Sequence, residues 1–314
     1  MNIGFLMDPL STINIKKDTT FAMLLAAQER NWQVHVLLPE HIWLQDGIAW
    51  GRMHVVRVFD DPAHFYELGE MIEQPLVDLD ALIMRKDPPV TMQYMYLTYL
   101  LEQAEAQGLL VLNKPASLRD ANEKLFTAWF PQCCPRTLVT SESDLIMDFV
   151  ESVDDAIIKP LDGMGGNSVF RLSAGDPNQH VIIETITQRG AQKVMVQQFI
   201  PEIISGDKRI LMIDGEPVPY ALARVPAADD FRGNLASGAE PVGRELTDRD
   251  RWICEQVGPV LKEKGLLFVG LDVIGDYLTE INVTSPTCAR ELNRLYGLDI
   301  AGDFLDLVAG YVDQ

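Results

Sequence analysis

Short apolar runs alternate with amphipathic segments in the first third of the chain. The apolar runs have the pattern of strands and cover residues 2–7, 32–38, 53–59, 79–84 and 109–113. Segments 18–31 and 91–108 have helical spacing, and Asp18 is a good N-cap for the first of them. This alternation predicts an α/β fold in which a parallel, doubly wound sheet forms a Rossmann-like N-terminal domain.

The loop that follows the first strand limits what this domain can bind. Residues 7–20 contain no glycine. The glycine-rich fingerprint of dinucleotide-binding proteins is therefore missing from the position where it would be needed. The pattern predicts a Rossmann-like architecture without an NAD site.

The pattern changes near residue 115. We predict helices over 117–130, 141–152, near 181–188 and over 248–265, strands over 136–140, 155–160, 169–172 and 193–201, and two terminal helices. Residues 209–225 predict an antiparallel hairpin that turns at Asp214-Gly215. Residues 226–245 have neither period and contain several glycines, which is typical of a functional or disordered loop.

Composition and charge exclude several classes of partner. The 314 residues are 47% hydrophobic and 23% charged, as in an ordinary globular protein long enough for two domains. A formal net charge of −20 argues against binding to nucleic acid or an anionic membrane. The four cysteines lack metal or redox spacing, and neither a signal peptide nor a membrane-length apolar run is visible. We therefore expect a soluble, cytoplasmic protein with reduced thiols.

Three polar residues interrupt an apolar hairpin near the C-terminus. Asp272, Glu280 and Asn282 alternate with apolar neighbours and offer only oxygen ligands, as Mg²⁺ requires. A two-residue turn at Gly275-Asp276 would place Asp272 opposite Thr279, whereas a three-residue loop would place it opposite Glu280. A metal site predicts the second register. The alternative is that these side chains line the solvent face of a half-exposed sheet.

Several cationic and glycine-rich segments are ambiguous when each is considered alone. Residues 159–168 place Lys159 beside closely spaced glycines, a pattern that lets backbone N–H groups approach an anion but also fits a surface turn. Lys124 in a helix is by itself most simply a solvated side chain. Arg85 and Asp87 follow a buried strand, at the edge where α/β sheets bind ligands.

Together these parts resemble the ATP-grasp ligases and, over whole motifs, the bacterial glutathione synthetases. The resemblance rests on residues 7–25, 84–89, 113–130, 157–168, 206–209, 215–224, 232–238 and 265–287. It implies a Rossmann-like substrate-binding domain over residues 1–122. An ATP-grasp domain would follow over 123–314, with a mobile lid at about 226–243. Residues 224–231 and 239–245 depart from the pattern.

The resemblance also implies a role for each matching residue. ATP would be held by Lys124, Lys159, Gly163, Gly165, Gly166, Gln198, Phe199, Ile200 and Asp207. Two Mg²⁺ ions, with Mn²⁺ as a substitute, would be held by Asp272, Glu280 and Asn282. Arg209, Arg224 and Lys159 would act in catalysis. The substrate γ-glutamylcysteine would be recognised by Arg85, Asn282, Ser285, Thr287 and Glu291, with Arg232 on the lid.

The implied reaction is the ATP-dependent joining of γ-glutamylcysteine and glycine to form glutathione, ADP and phosphate through an acyl-phosphate. The enzyme would be a homo-oligomer, a tetramer by resemblance or else a dimer. Two alternatives stay open. A ligase for another carboxylate and amine should lose residues 85–89 and 285–287. A non-catalytic nucleotide-binding regulator should lose a metal ligand or Arg209.

Overall fold

The first part of the chain forms one six-stranded sheet with helices against it. The computed structural model describes residues 1–227, 233 and 238–313. The elements of this part are strands β1 (Asn2–Met7), β2 (Gln33–Gln45), β3 (Ile48–Val58), β4 (Tyr66–Pro75), β5 (Ala81–Arg85) and β6 (Leu110–Leu112), and helices α1 (Thr19–Glu29), α2 (Met92–Ala106) and α3 (Pro115–Asp120). The strand order is β4-β3-β2-β1-β5-β6.

Only part of this sheet has the predicted parallel arrangement. Strands β2, β1, β5 and β6 pair in parallel with one another, as predicted. The prediction is wrong at the other edge, because β3 and β4 pair antiparallel and extend the sheet as a meander. Asp18 caps α1 as expected, since its side chain accepts the backbone N–H of Phe21.

The second part contains two antiparallel sheets. Its strands are β7 (Thr137–Thr140), β8 (Asp155–Pro160), β9 (Phe170–Ser173), β10 (Val194–Gln198), β11 (Asp207–Ile213), β12 (Glu216–Val225), β13 (Glu240–Glu245), β14 (Phe268–Ile274) and β15 (Tyr277–Asn282). Its helices are α4 (Ser143–Val153), α5 (Gln179–Ile186), α6 (Asp248–Glu263), α7 (Ala289–Tyr296) and α8 (Ile300–Val312). The strand orders are β7-β10-β8-β9 and β13-β12-β11-β14-β15.

Local backbone chemistry explains one confirmed turn and one error. The turn at Asp214 and Gly215 has φ values of +52° and +83°, the left-handed conformations that a two-residue type I′ hairpin needs. The predicted helix over 117–130 is wrong, because α3 ends at Asp120 and a 3-10 helix begins at Leu125. Between them Asn122 accepts the N–H groups of Lys124 and Leu125, a side-chain bond that competes with a continuous helix.

The hydrophobic cores show which elements hold together. Two buried clusters join the six-stranded sheet to the five-stranded sheet; Leu82 and Leu271 belong to one of them, and Phe5 and Phe268 to the other. A third cluster fills the small lobe around β7–β10 and includes Ile158 and Val196. None of the helices in the described ranges has the length and apolar character needed to cross a membrane.

Candidate active site

A first cavity lies where the four-stranded lobe faces the five-stranded sheet. It has a volume of about 120 Å³ and is lined by side chains and backbone from both sheets. All nine residues predicted to bind ATP line it: Lys124, Lys159, Gly163, Gly165, Gly166, Gln198, Phe199, Ile200 and Asp207.

Two lysines line this cavity. The Nζ of Lys124 donates to the carbonyl of Gly163 and, over 2.9 Å, to Oε1 of Glu280. The Nζ of Lys159 donates to the carbonyl of Thr279 at 3.1 Å. Burial lowers the pKa of Lys159 to about 8. Both ammonium groups therefore lie beside Glu280 in a site with little access to water.

The glycine-rich loop needs glycine at specific positions. Gly165 and Gly166 have φ values of +63° and +78°, where a side chain would strain the backbone. A Cβ on Gly163 would lie 2.7 Å from the ring of Pro160. These glycines let the loop pass closely over the lysines, as an anion-binding loop requires.

The segment after β10 offers backbone groups at the cavity wall. The N–H of Gln198 is bonded to the carbonyl of Arg136, and the N–H of Phe199 is bonded to the carbonyl of Asp155. Within the described ranges the N–H of Ile200 makes no hydrogen bond. This amide is therefore the one available to a ligand at the segment predicted to bind adenine.

The β14–β15 hairpin has the predicted pairing for a different reason from the one expected. Its turn has two residues, since Ile274 pairs with Tyr277, so the predicted three-residue loop is wrong. A β-bulge between Asp272 and Val273 nevertheless restores Asp272 to the position opposite Glu280. Thr279 is the extra residue of the bulge, and its freed carbonyl accepts the bond from Lys159.

Asp272 lies in a buried cluster of charges. Arg209 donates to it from Nε and Nη2, and Arg224 lies 2.8 Å from its Oδ2. Burial alone would raise the pKa of Asp272, but the two guanidinium groups hold it well below the usual range. Arg224 also donates to Asp207, whose pKa burial raises to about 6 despite this contact. The Oδ1 of Asp207 is buried and accepts nothing from the described residues.

A second cavity of about 440 Å³ adjoins the first. Glu280 and Gly165 line both cavities, so a ligand group can pass from one to the other at this point. Besides Gly165, eight residues with a predicted role line this cavity, namely Arg209, Arg224, Asp272, Glu280, Asn282, Ser285, Thr287 and Glu291. Oε2 of Glu291 is buried, accepts no bond from the described part of the chain, and burial raises the pKa of this carboxyl.

The donor set at the junction of the cavities suits a hard divalent cation. Asp272 and Glu280 are opposite one another, and Asn282 follows two residues later along β15. All three line the second cavity, and their donor atoms are oxygens. The amide nitrogen of Asn282 is bonded to the carbonyl of Gly270, so its Oδ1 faces away from that bond.

Two residues predicted to bind substrate, Arg85 and Arg232, are not among the described residues that line the second cavity. For Arg85 the predicted contact with substrate stays a prediction. Its buried guanidinium donates to Thr20 and to the carbonyl of Pro286, and lies 5.5 Å from the ring of Phe268. Burial lowers its pKa to about 10. Arg232 and half of the predicted lid over 226–243 lie outside the described residues.

The structure adds residues that were given no role at the site, although Asp87 was placed at the ligand-binding edge of the sheet. The N-terminal part contributes Asp8, Asn14, Lys17, Asp18 and Asp87 to the second cavity. Glu123 also lines it, next to the predicted lysine Lys124. The signal that could have found them is that all six lie within the matched ranges 7–25, 84–89 and 113–130, although they meet only through tertiary contacts.

Comparison with known proteins decides the family. The model of the prokaryotic glutathione synthetase N-terminal domain matches residues 1–119, and that of the prokaryotic glutathione synthetase ATP-grasp domain matches residues 123–297. The chain belongs to the prokaryotic glutathione synthetase family. A curated glutathione synthetase from Coxiella burnetii is 60% identical over 97% of this chain and 95% of its own length. One from Shewanella oneidensis is 54% identical over the full length of both.

Solved structures outside the glutathione synthetase family share the fold. D-cycloserine synthetase DcsG has a TM-score of 0.69 at 14% identity, covering 99% of this chain and 100% of its own. The ATP-grasp ligase PsnB, solved with a minimal precursor, Mg and ADP, has a TM-score of 0.64 at 17% identity, covering 99% and 98%. The α/β ATP-grasp fold predicted from the sequence is therefore confirmed.

Proposed function

We propose that this protein is an ATP-dependent ligase that joins γ-glutamylcysteine and glycine to form glutathione, ADP and phosphate. Family membership and full-length relatives at 54–60% identity support this function. The structural observation that carries it is the junction of two cavities at Glu280. One cavity is fitted to a polyphosphate and the other to a polar substrate, so a phosphoryl group can be transferred between them.

The first cavity binds ATP in this proposal. Lys124, Lys159 and the glycine-rich loop at 163–166 hold the phosphates, and the N–H of Ile200 bonds the adenine. The unpartnered Oδ1 of Asp207 accepts a ribose hydroxyl. Mg²⁺ is typical of ATP-grasp enzymes, and two ions held by Asp272, Glu280 and Asn282 would neutralise phosphate charge. Mn²⁺ is the expected substitute, because it accepts the same oxygen ligands.

The reaction needs positioning and cationic stabilisation more than a protein nucleophile. The cysteinyl carboxylate of γ-glutamylcysteine attacks the γ-phosphorus of ATP, and ADP leaves. The amine of glycine then attacks the acyl-phosphate, and phosphate departs. Lys159, Arg209 and Arg224 stabilise the negative charge that spreads over the transferred group. Ser285, Thr287 and Glu291 bind the dipeptide within the second cavity.

Several finer assignments accompany this proposal. A boundary near residue 122 separates the two domains. A lid over about 226–243, carrying Arg232, shields the acyl-phosphate from water. We also propose a cytoplasmic homo-oligomer, a tetramer or else a dimer. The four cysteines are free, as a reducing compartment would keep them.

The test is substrate-dependent phosphate release, with the product identified by mass spectrometry. We expect release only when ATP, Mg²⁺, γ-glutamylcysteine and glycine are all present, together with a stoichiometric peptide product. D-alanine and free glutamate serve as competing substrates. Efficient ligation of another carboxylate and amine pair in preference to these substrates would favour the first alternative. ATP binding with no turnover on any pair would favour a regulator.

A further inference from the structure

The segment that follows β15 is held by side chains from the N-terminal part of the chain. Residues 283–287 connect β15 to α7, and four of them line the second cavity. Most of this segment is irregular, so its backbone groups must find partners outside regular structure. The partners come from Arg85, Asn113 and Glu123.

Glu123 makes the densest of these contacts. Its Oε1 accepts hydrogen bonds from the N–H of Val283 at 2.9 Å, the N–H of Thr284 at 3.0 Å and the hydroxyl of Thr284 at 2.9 Å. The backbone carbonyl of Glu123 also accepts the N–H of Ile281 at 2.8 Å. One residue therefore fixes both the end of β15 and the start of the segment.

Asn113 holds the same residue from the other side. Its Nδ2 donates to the carbonyl of Val283 at 2.8 Å and to the carbonyl of Phe268 at 2.9 Å. Its Oδ1 accepts the N–H groups of Leu267 and Phe268. Val283 is thus anchored at its N–H by Glu123 and at its carbonyl by Asn113, which leaves its backbone a single orientation.

Glu123 is followed in sequence by a residue of the first cavity. Its neighbour in sequence is Lys124, which bonds Glu280 and the glycine-rich loop. The two consecutive residues thus face different tasks, since Lys124 reaches towards the phosphates and Glu123 reaches towards segment 283–287.

We propose that Glu123 is a positioning residue that aligns the substrate-binding segment 283–287 with the phosphate-binding lysine. This inference rests on the proposed function. Its role is to accept hydrogen bonds through Oε1, because an acceptor removed from this place would leave two backbone N–H groups without partners. The length of the side chain is therefore essential and its negative charge is not.

Two substitutions separate length from charge. Glu123→Gln keeps the length and one acceptor oxygen but removes the charge. Glu123→Asp keeps the charge but is one methylene too short to reach both N–H groups. Glu102→Ala serves as the control, because Glu102 on α2 pairs only with Arg119 among the described residues.

The measurements are the KM for γ-glutamylcysteine, the equilibrium binding of ATP, and amide hydrogen exchange at Val283 and Thr284. For Glu123→Asp we expect the KM to rise at least about tenfold, ATP binding to stay within about threefold, and both amides to exchange faster. For Glu123→Gln and the control we expect all three to stay within about threefold of the parent protein.

If Glu123→Gln is impaired and Glu123→Asp is near normal, the negative charge is what matters, and the proposal is overturned. Unchanged exchange at both amides in the Asp variant would overturn it as well. If the parent protein does not use γ-glutamylcysteine, the proposed function fails while hydrogen exchange still tests the anchoring by Glu123.

Discussion

Replacing Lys159 by methionine should abolish activity and yet make the protein more stable at neutral pH. Lys159 is 8% exposed, and within the described structure its Nζ makes one hydrogen bond, to the carbonyl of Thr279. A buried ammonium with a single partner is poorly compensated for the loss of water. Methionine has a similar length and no charge, so it fills the same space.

The expected gain follows from the pKa of Lys159. Burial lowers it from 10.5 to about 8. Each unit corresponds to about 1.4 kcal/mol, so the charged form destabilises the folded state by about 3 kcal/mol at pH 7. Methionine would also leave the Thr279 carbonyl unpaired, at a cost of about 1–2 kcal/mol. The free energy of unfolding should therefore rise by about 1–2 kcal/mol.

The sign of this difference should depend on pH. The pKa of Lys159 is lower in the folded than in the unfolded protein. The cost of burying its charge is therefore absent above the unfolded pKa of 10.5 and is fully present once pH has fallen through about 8. As pH rises from about 8 to 10.5, the free energy of unfolding of the parent protein should therefore rise relative to that of Lys159→Met. At the upper end the variant should be the less stable protein, because only the lost hydrogen bond remains.

Urea unfolding of both proteins at pH 7 and pH 10 measures this difference. Lys193→Met, which replaces an exposed lysine just before β10, is the matched control and should change stability little at either pH. A gap between Lys159→Met and the parent that is the same at both pH values would refute the reasoning. So would a loss of stability at pH 7. ATP binding should be lost in Lys159→Met and kept in the control.

Three further outcomes are expected. Glu280→Gln should abolish turnover because it removes the charge shared by both cavities; near-normal phosphate release at saturating Mg²⁺ would contradict this. Asp272→Asn should lower the free energy of unfolding by about 3–5 kcal/mol, since the buried Arg209 loses its carboxylate partner and Arg224 keeps only that of Asp207. The loss should shrink in acid as the parent carboxyl titrates. Arg85→Ala should raise the KM for γ-glutamylcysteine at least about tenfold, because the carbonyl of Pro286 loses its donor, while the KM for ATP stays within about threefold. Equal rises in both constants would show that Arg85 supports the structure of both cavities.

The sequence predicted the core of the fold because its buried elements have strong periodic patterns. The parallel strands β1, β5 and β6 are short apolar runs, and such runs are reliable signals. The β3–β4 meander was missed because β4 is mostly exposed and polar. Asp46-Gly47 was an available signal, since this pair is typical of a type I′ turn and has φ values of +51° and +81°.

The candidate site was predicted from local motifs. Local motifs did not predict the features of the site that depend on tertiary packing. Alternation along β15 placed Glu280 and Asn282 on one face, but no local pattern indicated the bulge at Thr279 that brings Asp272 opposite Glu280. A charge at the end of β5 suggested that Arg85 meets substrate. In the structure its guanidinium donates to Thr20 and to the Pro286 carbonyl, tertiary contacts that no local pattern indicated, and its contact with substrate stays a prediction.

The anchoring of segment 283–287 has a consequence for exchanging modules between ATP-grasp enzymes. By sequence this segment belongs to the C-terminal half, but its backbone partners Arg85, Asn113 and Glu123 precede or adjoin the boundary near residue 122. A chimera that joins a foreign N-terminal module to this C-terminal half would lose Arg85 and Asn113 and keep Glu123. To transfer substrate specificity between two such enzymes, the donor's segment 283–287 and the residues that anchor it should therefore be moved together, although they are far apart in the sequence.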